Sequence, residues 1–230
     1  MKQIYYLIEK FSVIYLPLIM ENPKAERTVN YYDSLSQKYD SSYSAYLKHT
    51  HKEFLERLKI PKDASVLDVS AGTGILGAKI LENFSPAMLV LNDPSEGMLQ
   101  IARQRLENIK NVTFTDHLAE EFRFDDSSFD TLICLNSFHY YTDHQAVLSQ
   151  FSRILKPGGT LYLLDWNLEG WFRLPNFIIS TFSPENINTE AAKNISPMLK
   201  KHGLQEQRLD RWAFRFWKFF YVEATLNEPT

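Results

Sequence analysis

The residues best able to do chemistry in this chain are two carboxylates and a run of glycines. Asp68 lies in an apolar run from Ser65 to Ser70, and Ala71-Gly72-Thr73-Gly74-Ile75-Leu76-Gly77 follows directly. Glycines let the backbone turn sharply and let a ligand approach it closely. A helix starting beyond them offers unpaired N–H groups and a positive dipole end. Asp93 lies nineteen residues past Gly74, at the end of a second apolar run, Met88–Asn92. A carboxylate there can accept hydrogen bonds from both hydroxyls of a ribose. Taken alone, Gly72-x-Gly74-x-x-Gly77 with Asp93 matches a dinucleotide fingerprint, and an NAD-dependent dehydrogenase is one reading of it. Asp68 argues against that reading, because dinucleotide folds carry an apolar residue at this point of the strand. A carboxylate there can receive the ammonium of an amino-acid-like ligand, and the loop then handles a methionine moiety rather than a pyrophosphate.

A second group of candidates follows a later strand, in Asn136-Ser137-Phe138-His139-Tyr140-Tyr141. His139 there is a candidate general base for an acceptor that arrives protonated. A buried, hydrogen-bonded imidazole is the competing reading. Trp166, Trp171 and Phe172 follow a fifth strand and are expected at the pocket, whereas His49 and His51 are expected in solvent and Cys134 in the core.

These groups need a scaffold, and the pattern supplies one. Strands are predicted over Ser65–Ser70, Met88–Asn92, Val112–Thr115, Thr131–Leu135 and Thr160–Leu164. Helices are predicted over Gly74–Phe84, Ser95–Asn108 and Asp143–Leu155, the last stopped by Lys156-Pro157-Gly158-Gly159. Near-continuous apolar strands separated by helices indicate a parallel sheet covered on both faces. After an aromatic-rich insertion, Trp166–Pro184, two short helices are predicted over Thr189–Asn194 and Pro197–His202. Two final strand-like runs, Gln205–Arg211 and Phe214–Thr225, have no helix between them and so should pair as an antiparallel edge hairpin.

The 230 residues are 44% hydrophobic and 23% charged, which fits one elaborated globular domain and excludes a disordered chain. A net charge of −3 does not favour a nucleic-acid partner. The single cysteine excludes an intrachain disulfide and a cysteine-based zinc cluster, and no other metal-ligand cluster stands out. It fits a reducing compartment, so cytoplasmic localisation is expected. Aromatic residues reach 14%, enough to line a pocket as well as a core. Residues 4–20 are apolar but carry Glu9, Lys10 and Pro17. They are expected to form an amphipathic helix packed on the body, with contact to a membrane surface as the sharper alternative. A third reading makes Met20 the true start.

Beyond these residue-level readings, the chain resembles the class I S-adenosylmethionine-dependent methyltransferases of the small-molecule type. The resemblance rests on Asp68-x-Ser70-x-Gly72-x-Gly74, on Asp93 in Leu91-Asn92-Asp93-Pro94, on Ser128-Phe129-Asp130 before the fourth strand and on Leu155-Lys156-Pro157-Gly158-Gly159 before the fifth. It spans about residues 30–225. It implies a Rossmann-like α/β fold, a doubly wound, mostly parallel seven-stranded sheet with an antiparallel C-terminal edge hairpin. Residues 1–29 would be an N-terminal helix or lid segment and residues 30–230 the methyltransferase domain. It further implies that S-adenosylmethionine is the cofactor. Asp68 and Ser70, Ala71, Gly72, Thr73 and Gly74 would hold its methionine end. Asp93 would bind the ribose, Pro94 and Met98 would flank adenine, and Leu118 and Ala119 would lie at the adenine edge. Asn136 to His139 would face the sulfonium, and Tyr32 or Tyr39 would close over the cofactor. Two positions depart from the pattern. Ser70 replaces a glycine, and Leu118 replaces an aspartate for which Asp116 or Glu120 could substitute.

The expected activity is methyl transfer to a small apolar or aromatic acceptor. Catalysis would be carried by positioning, with His139 or Tyr39 as the catalytic side chain. No Asn-Pro-Pro-Tyr run follows the fourth strand, which argues against methylation of nucleic-acid amines. The alternatives are a degenerate relative that binds the cofactor without turnover and the dehydrogenase above.

Overall fold

Alternation within the strands builds two cores at once. Val66 faces one apolar cluster and Leu67 the other; Ile133 and Leu135 join the first, Leu132 and Cys134 the second. Successive side chains of a strand point to opposite faces, so a sheet with two apolar faces must be covered on both. The computed structural model describes residues 23–228 and supplies those covers. Residues 4–20, expected to form an apolar helix, lie outside the described residues.

In chain order the elements are α1 (Pro23–Ser42), α2 (Ser44–Leu55), β1 (Ser65–Asp68), α3 (Ile75–Asn83), β2 (Met88–Asn92), α4 (Glu96–Arg105) and β3 (Val112–Thr115). They continue with β4 (Phe129–Leu135), α5 (His144–Ile154), β5 (Leu155–Trp166), α6 (Arg173–Phe182), α7 (Ala192–Lys201), β6 (Leu204–Phe214) and β7 (Trp217–Leu226). The seven strands form one sheet in the order β3-β2-β1-β4-β5-β7-β6. β1 to β5 run parallel, and β7 and β6 close the edge as an antiparallel hairpin. Asp68 pairs with Leu91 on one side and Ile133 on the other, so the loops after β1, β2 and β4 leave the sheet at one level. The strand order reverses between β1 and β4, and open α/β sheets form their binding crevice at such a switch point.

Local signals explain most boundaries. The Ser95 hydroxyl accepts from the Met98 N–H at 3.2 Å and starts α4, and Asp143 accepts from the N–H groups of Gln145 and Ala146 and starts α5. Four expectations need correction. The Lys156–Gly159 turn lies inside β5, as an irregularity between the Phe129–Leu155 and Thr131–Thr160 pairings. β5 also continues past Leu164 to Trp166, because its pairing with β7 runs from Thr160–Thr225 to Trp166–Phe219. The two helices expected near Pro197 are a single helix, α7. Its apolar face, Ala192, Ile195 and Leu199, is buried, and this tertiary packing outweighs the hydrogen bond that Pro197 cannot donate. Finally, α1 runs unbroken through the expected boundary at residues 29 and 30.

Candidate cofactor and acceptor site

The loop after β1 turns on two glycines with positive φ, Gly72 at 55° and Gly74 at 76°. They have different jobs. A Cβ on Gly72 would meet nothing within 4 Å, so this backbone lies open to a cavity. A Cβ on Gly74 would sit 3.0 Å from Ala102 Cβ; this glycine lets α4 approach the start of α3 and does not line the cavity. Gly77 is also a packing residue, with Leu91 2.9 Å from where its Cβ would be. Gly74, expected at the cofactor, is thus placed against α4 rather than on the cavity wall, and its small size is used on the far side of the loop.

Asp93 is bound into this loop. Its carboxylate accepts from the Gly72 N–H at 2.8 Å and from the Ser95 N–H at 3.0 Å. Burial pushes its pKa up to about 6, against the lowering effect of these two N–H groups. Asp68 is 1% exposed, and its Oδ2 has no hydrogen-bond partner among the described residues. Burial, helped by the nearby charge of Asp93, raises its pKa to about 7. A buried carboxylate oxygen without a partner is costly to leave so, and a cationic ligand group beside it would relieve that cost. Asn92 was not foreseen as a site residue. Its amide donates to the Val69 and His117 carbonyls and accepts from Thr115 and the His117 N–H, tying three strand ends together. Its signal was an asparagine at the end of an otherwise apolar strand.

One cavity collects most of the expected residues. Tyr32, Tyr39, Asp68, Ser70, Ala71, Gly72, Thr73, Asp93, Pro94, Met98, Leu118, Ala119 and Asn136 all line it. The Ser70 hydroxyl is 2.8 Å from that of Tyr141, so the serine in place of a glycine is hydrogen-bonded. Of the two residues offered as substitutes at the Leu118 position, Glu120 lines the cavity and Asp116 does not. The Asn136 side chain turns towards α2: Oδ1 accepts from the Tyr46 hydroxyl and Nδ2 donates to Thr50, each at 2.9 Å.

His139 is placed differently from expectation. It is 2% exposed and absent from the cavity lining. Its Nδ1 lies 2.5 Å from Asp165 Oδ1, and its ring stacks on Trp166 with centroids 3.7 Å apart. Asp165, at the end of β5, also accepts from the backbone N–H groups of His139 and Trp166. The competing reading, a buried hydrogen-bonded imidazole, describes this residue, and Tyr140 beside it presents the cavity wall instead. Trp166 and Phe172 are buried and Trp171 is exposed, so this trio does not line the cavity as expected. His51, expected in solvent, is buried on the wall, and desolvation lowers its pKa to about 4, leaving it neutral.

The least legible part of the site is its cover. α1 contributes Thr28 and Val29 as well as Tyr32 and Tyr39, and α2 contributes Leu47. Asp33 of α1 accepts from the Ser95 hydroxyl and the Gly97 N–H, while Asp40 accepts from Thr73 and pairs with Arg105 at 2.6 Å. Tyr32 donates to Glu185 at 2.8 Å and is bonded to the Tyr140 hydroxyl. Burial raises the pKa of Tyr32, Tyr39 and Tyr140, so these phenols are neutral donors near pH 7.

A switch-point crevice with a glycine turn, an acid just after β2 and a carboxylate at the end of β1 with one partnerless oxygen fits an α/β enzyme for a nucleoside ligand that carries an amino-acid end. Comparison with known proteins makes the class specific. A methyltransferase domain family matches residues 66–159. A Listeria welshimeri demethylmenaquinone methyltransferase is 30% identical over 167 residues, covering 68% of this chain and 71% of that protein. A Pseudoalteromonas translucida ubiquinone/menaquinone biosynthesis C-methyltransferase is 29% identical over 157 residues, covering 65% of this chain and 62% of that protein. Among solved structures, a Haloferax volcanii methyltransferase in complex with the Trm112 methyltransferase activator superposes with a TM-score of 0.76 at 19% identity. That match covers 86% of this chain and 98% of the other, and at this identity it supports the fold.

The chain belongs to the class I S-adenosylmethionine-dependent methyltransferases. Asp68, Asp93 and the open backbone at Gly72 fit that cofactor: a free buried carboxylate oxygen for its ammonium, a ribose acceptor, and room at the turn.

Proposed function

We propose that this methyltransferase methylates a small, electron-rich aromatic ring of quinol type, at carbon. The observation that carries the reading is the wall of Tyr32, Tyr39, Tyr140, Val29 and Leu47 in the same cavity as Asp68 and Asp93. Such a wall selects a flat apolar ring and offers neutral phenol donors to its oxygens. The Listeria relative, a demethylmenaquinone methyltransferase, and the Pseudoalteromonas relative, a ubiquinone/menaquinone biosynthesis C-methyltransferase, support the same acceptor class.

When bound, the cofactor supplies a sulfonium methyl for in-line displacement, which leaves the protein mainly to orient and desolvate. Asp68 anchors the ammonium, Asp93 and the Gly72 turn hold the ribose, and Met98, Pro94, Leu118 and Ala119 enclose the base. Tyr140 and Tyr39 contact the acceptor. A proton leaving the acceptor can pass from Tyr140 through Tyr32 to Glu185, the order in which these groups are bonded. His139, held by Asp165, positions Tyr140 from behind. A cytoplasmic setting agrees with the single, buried Cys134.

The test is methyl transfer from isotope-labelled S-adenosylmethionine to a soluble naphthohydroquinone, a phenol and an amine, with the product site read by NMR. Label on a ring carbon of the hydroquinone is expected. Label only on the amine, or none on any acceptor despite measured cofactor binding, would refute the acceptor class.

A further inference from the structure

The segment after β5 makes a short turn, Gly170–Phe172, and then α6, which packs Ile179 against the core but buries no side chain fully. Leu174, Phe177, Ile178 and Phe182 recur at helical spacing and so share one stripe. They are 66%, 63%, 48% and 79% exposed, an unusual density of free apolar surface. Trp171 and Phe216, also exposed, extend the stripe onto the turn and the β6–β7 hairpin tip. The two are joined by Lys218, whose ammonium lies 5.7 Å from the Trp171 ring centroid and whose carbonyl accepts from the Asn167 N–H.

The charge around this stripe is mainly basic. α6 contains no acidic residue, and Arg173, Arg215 and Lys218 form no ion pair among the described residues, while a single carboxylate, Glu169, directly precedes the turn. Trp166 pairs with Phe219, which places the hairpin tip and α6 at the C-terminal end of β5. That is the edge of the sheet on which the cavity forms.

We infer that this face docks on an anionic lipid bilayer, with α6 lying in the interface and the arginines and Lys218 against the headgroups. An apolar stripe one helix wide, with aromatic residues and a cationic rim, is the arrangement that partitions into a membrane surface. The rim selects a negatively charged leaflet. The inference is independent of the acceptor proposed above, because it rests on surface residues outside the cavity. Among the described residues no helix is long and apolar enough to cross a membrane, so the contact would be peripheral.

The test uses the full chain with Ile178→Cys carrying an environment-sensitive fluorophore; the native Cys134 is fully buried, so labelling is selective. Vesicles of phosphatidylglycerol with phosphatidylcholine should blue-shift the probe and co-sediment the protein, phosphatidylcholine alone should do so weakly, and salt should weaken the effect. Combining Leu174→Ser, Phe177→Ser and Phe182→Ser should reduce partitioning on the order of a hundredfold. S-adenosylmethionine binding and the melting temperature should not change. The inference fails if the parent does not bind anionic vesicles, or if the triple variant binds as tightly as the parent, which would locate binding elsewhere, residues 1–22 included. It also fails if the probe is already shielded without vesicles, by residues 1–22 in a monomer or by a second copy in a dimer.

Discussion

Replacing Asp68 by Asn tests the electrostatic core of the site. In the free protein this carboxyl has a pKa of about 7, raised first by burial and then by Asp93. At pH 7 about half of the molecules therefore carry a proton there. A ligand ammonium beside Oδ2 favours the carboxylate, so binding S-adenosylmethionine at pH 7 should release about half a proton per site, falling to about a tenth at pH 8. Calorimetry in buffers of different ionisation enthalpy reads this directly, since the observed heat follows the buffer in proportion to the protons released. Asp68→Asn should abolish the buffer dependence and weaken binding by roughly ten- to hundredfold, from loss of a charge-assisted hydrogen bond of about 1.5–3 kcal/mol. The same shift has a stability sign. Because folding raises this pKa, its contribution favours the fold below about pH 4 and is lost as the pH rises to about 7. A rise from the ordinary carboxylate value to about 7 corresponds to about 4 kcal/mol as a ceiling, so ligand-free Asp68→Asn should gain stability over the parent at pH 8 and not at pH 4. Buffer-independent heats for the parent at pH 7, or a variant with unchanged affinity, would refute the assignment of Asp68 to the ligand's ammonium.

Asp93→Ala should also lower cofactor affinity by roughly ten- to hundredfold; calorimetry with S-adenosylhomocysteine checks it, and circular dichroism checks that the fold is retained. Gly74→Ala should act on stability rather than contact, because it adds a Cβ at positive φ and 3.0 Å from Ala102; a loss of about 2 kcal/mol would lower the melting temperature by roughly 4–8 °C. His139→Gln should reduce turnover while leaving cofactor affinity and the shape of the pH–rate profile unchanged, as for a positioning residue. Loss of a titration step from that profile would restore His139 as a base. Glu185→Gln should reduce turnover and alter the profile, with cofactor affinity kept.

The parts of the site that were legible in the sequence are those built by neighbours along the chain. Asp68, the glycine turn and Asp93 are readable because a strand, a turn and the end of the next strand must occur in order, and the sheet then brings their ends to one level. Where distant elements meet, the text is silent. Nothing near His139 announces that Asp165, twenty-six residues on, will capture its ring. Nothing in Tyr32 announces Glu185. Gly74, the last glycine of the Asp68–Gly74 motif, shows a different limit: a positive φ and a tight contact both demand glycine, and only the packing against Ala102 says which side is crowded. Pro197 misled for a related reason, since a local helix-breaking rule was outweighed by burial of Ala192, Ile195 and Leu199. His51 was read from its charged neighbours, while its own face of α2 turned inward.

The fastening of α1 sets a condition on exchange. This helix is one wall of the cavity, and Asp33 and Asp40 hold it to Ser95, Gly97, Thr73 and Arg105. An outward swing of that wall would break these polar bonds and those of Tyr32 to Glu185 and Tyr140, and would leave the sheet intact. Cofactor and spent product would then trade places without unfolding of the sheet. The Asp40–Arg105 pair is about a third exposed, so dissolved ions compete with it. Turnover limited by this step would rise with ionic strength, whereas turnover limited by chemistry in the closed cavity would not.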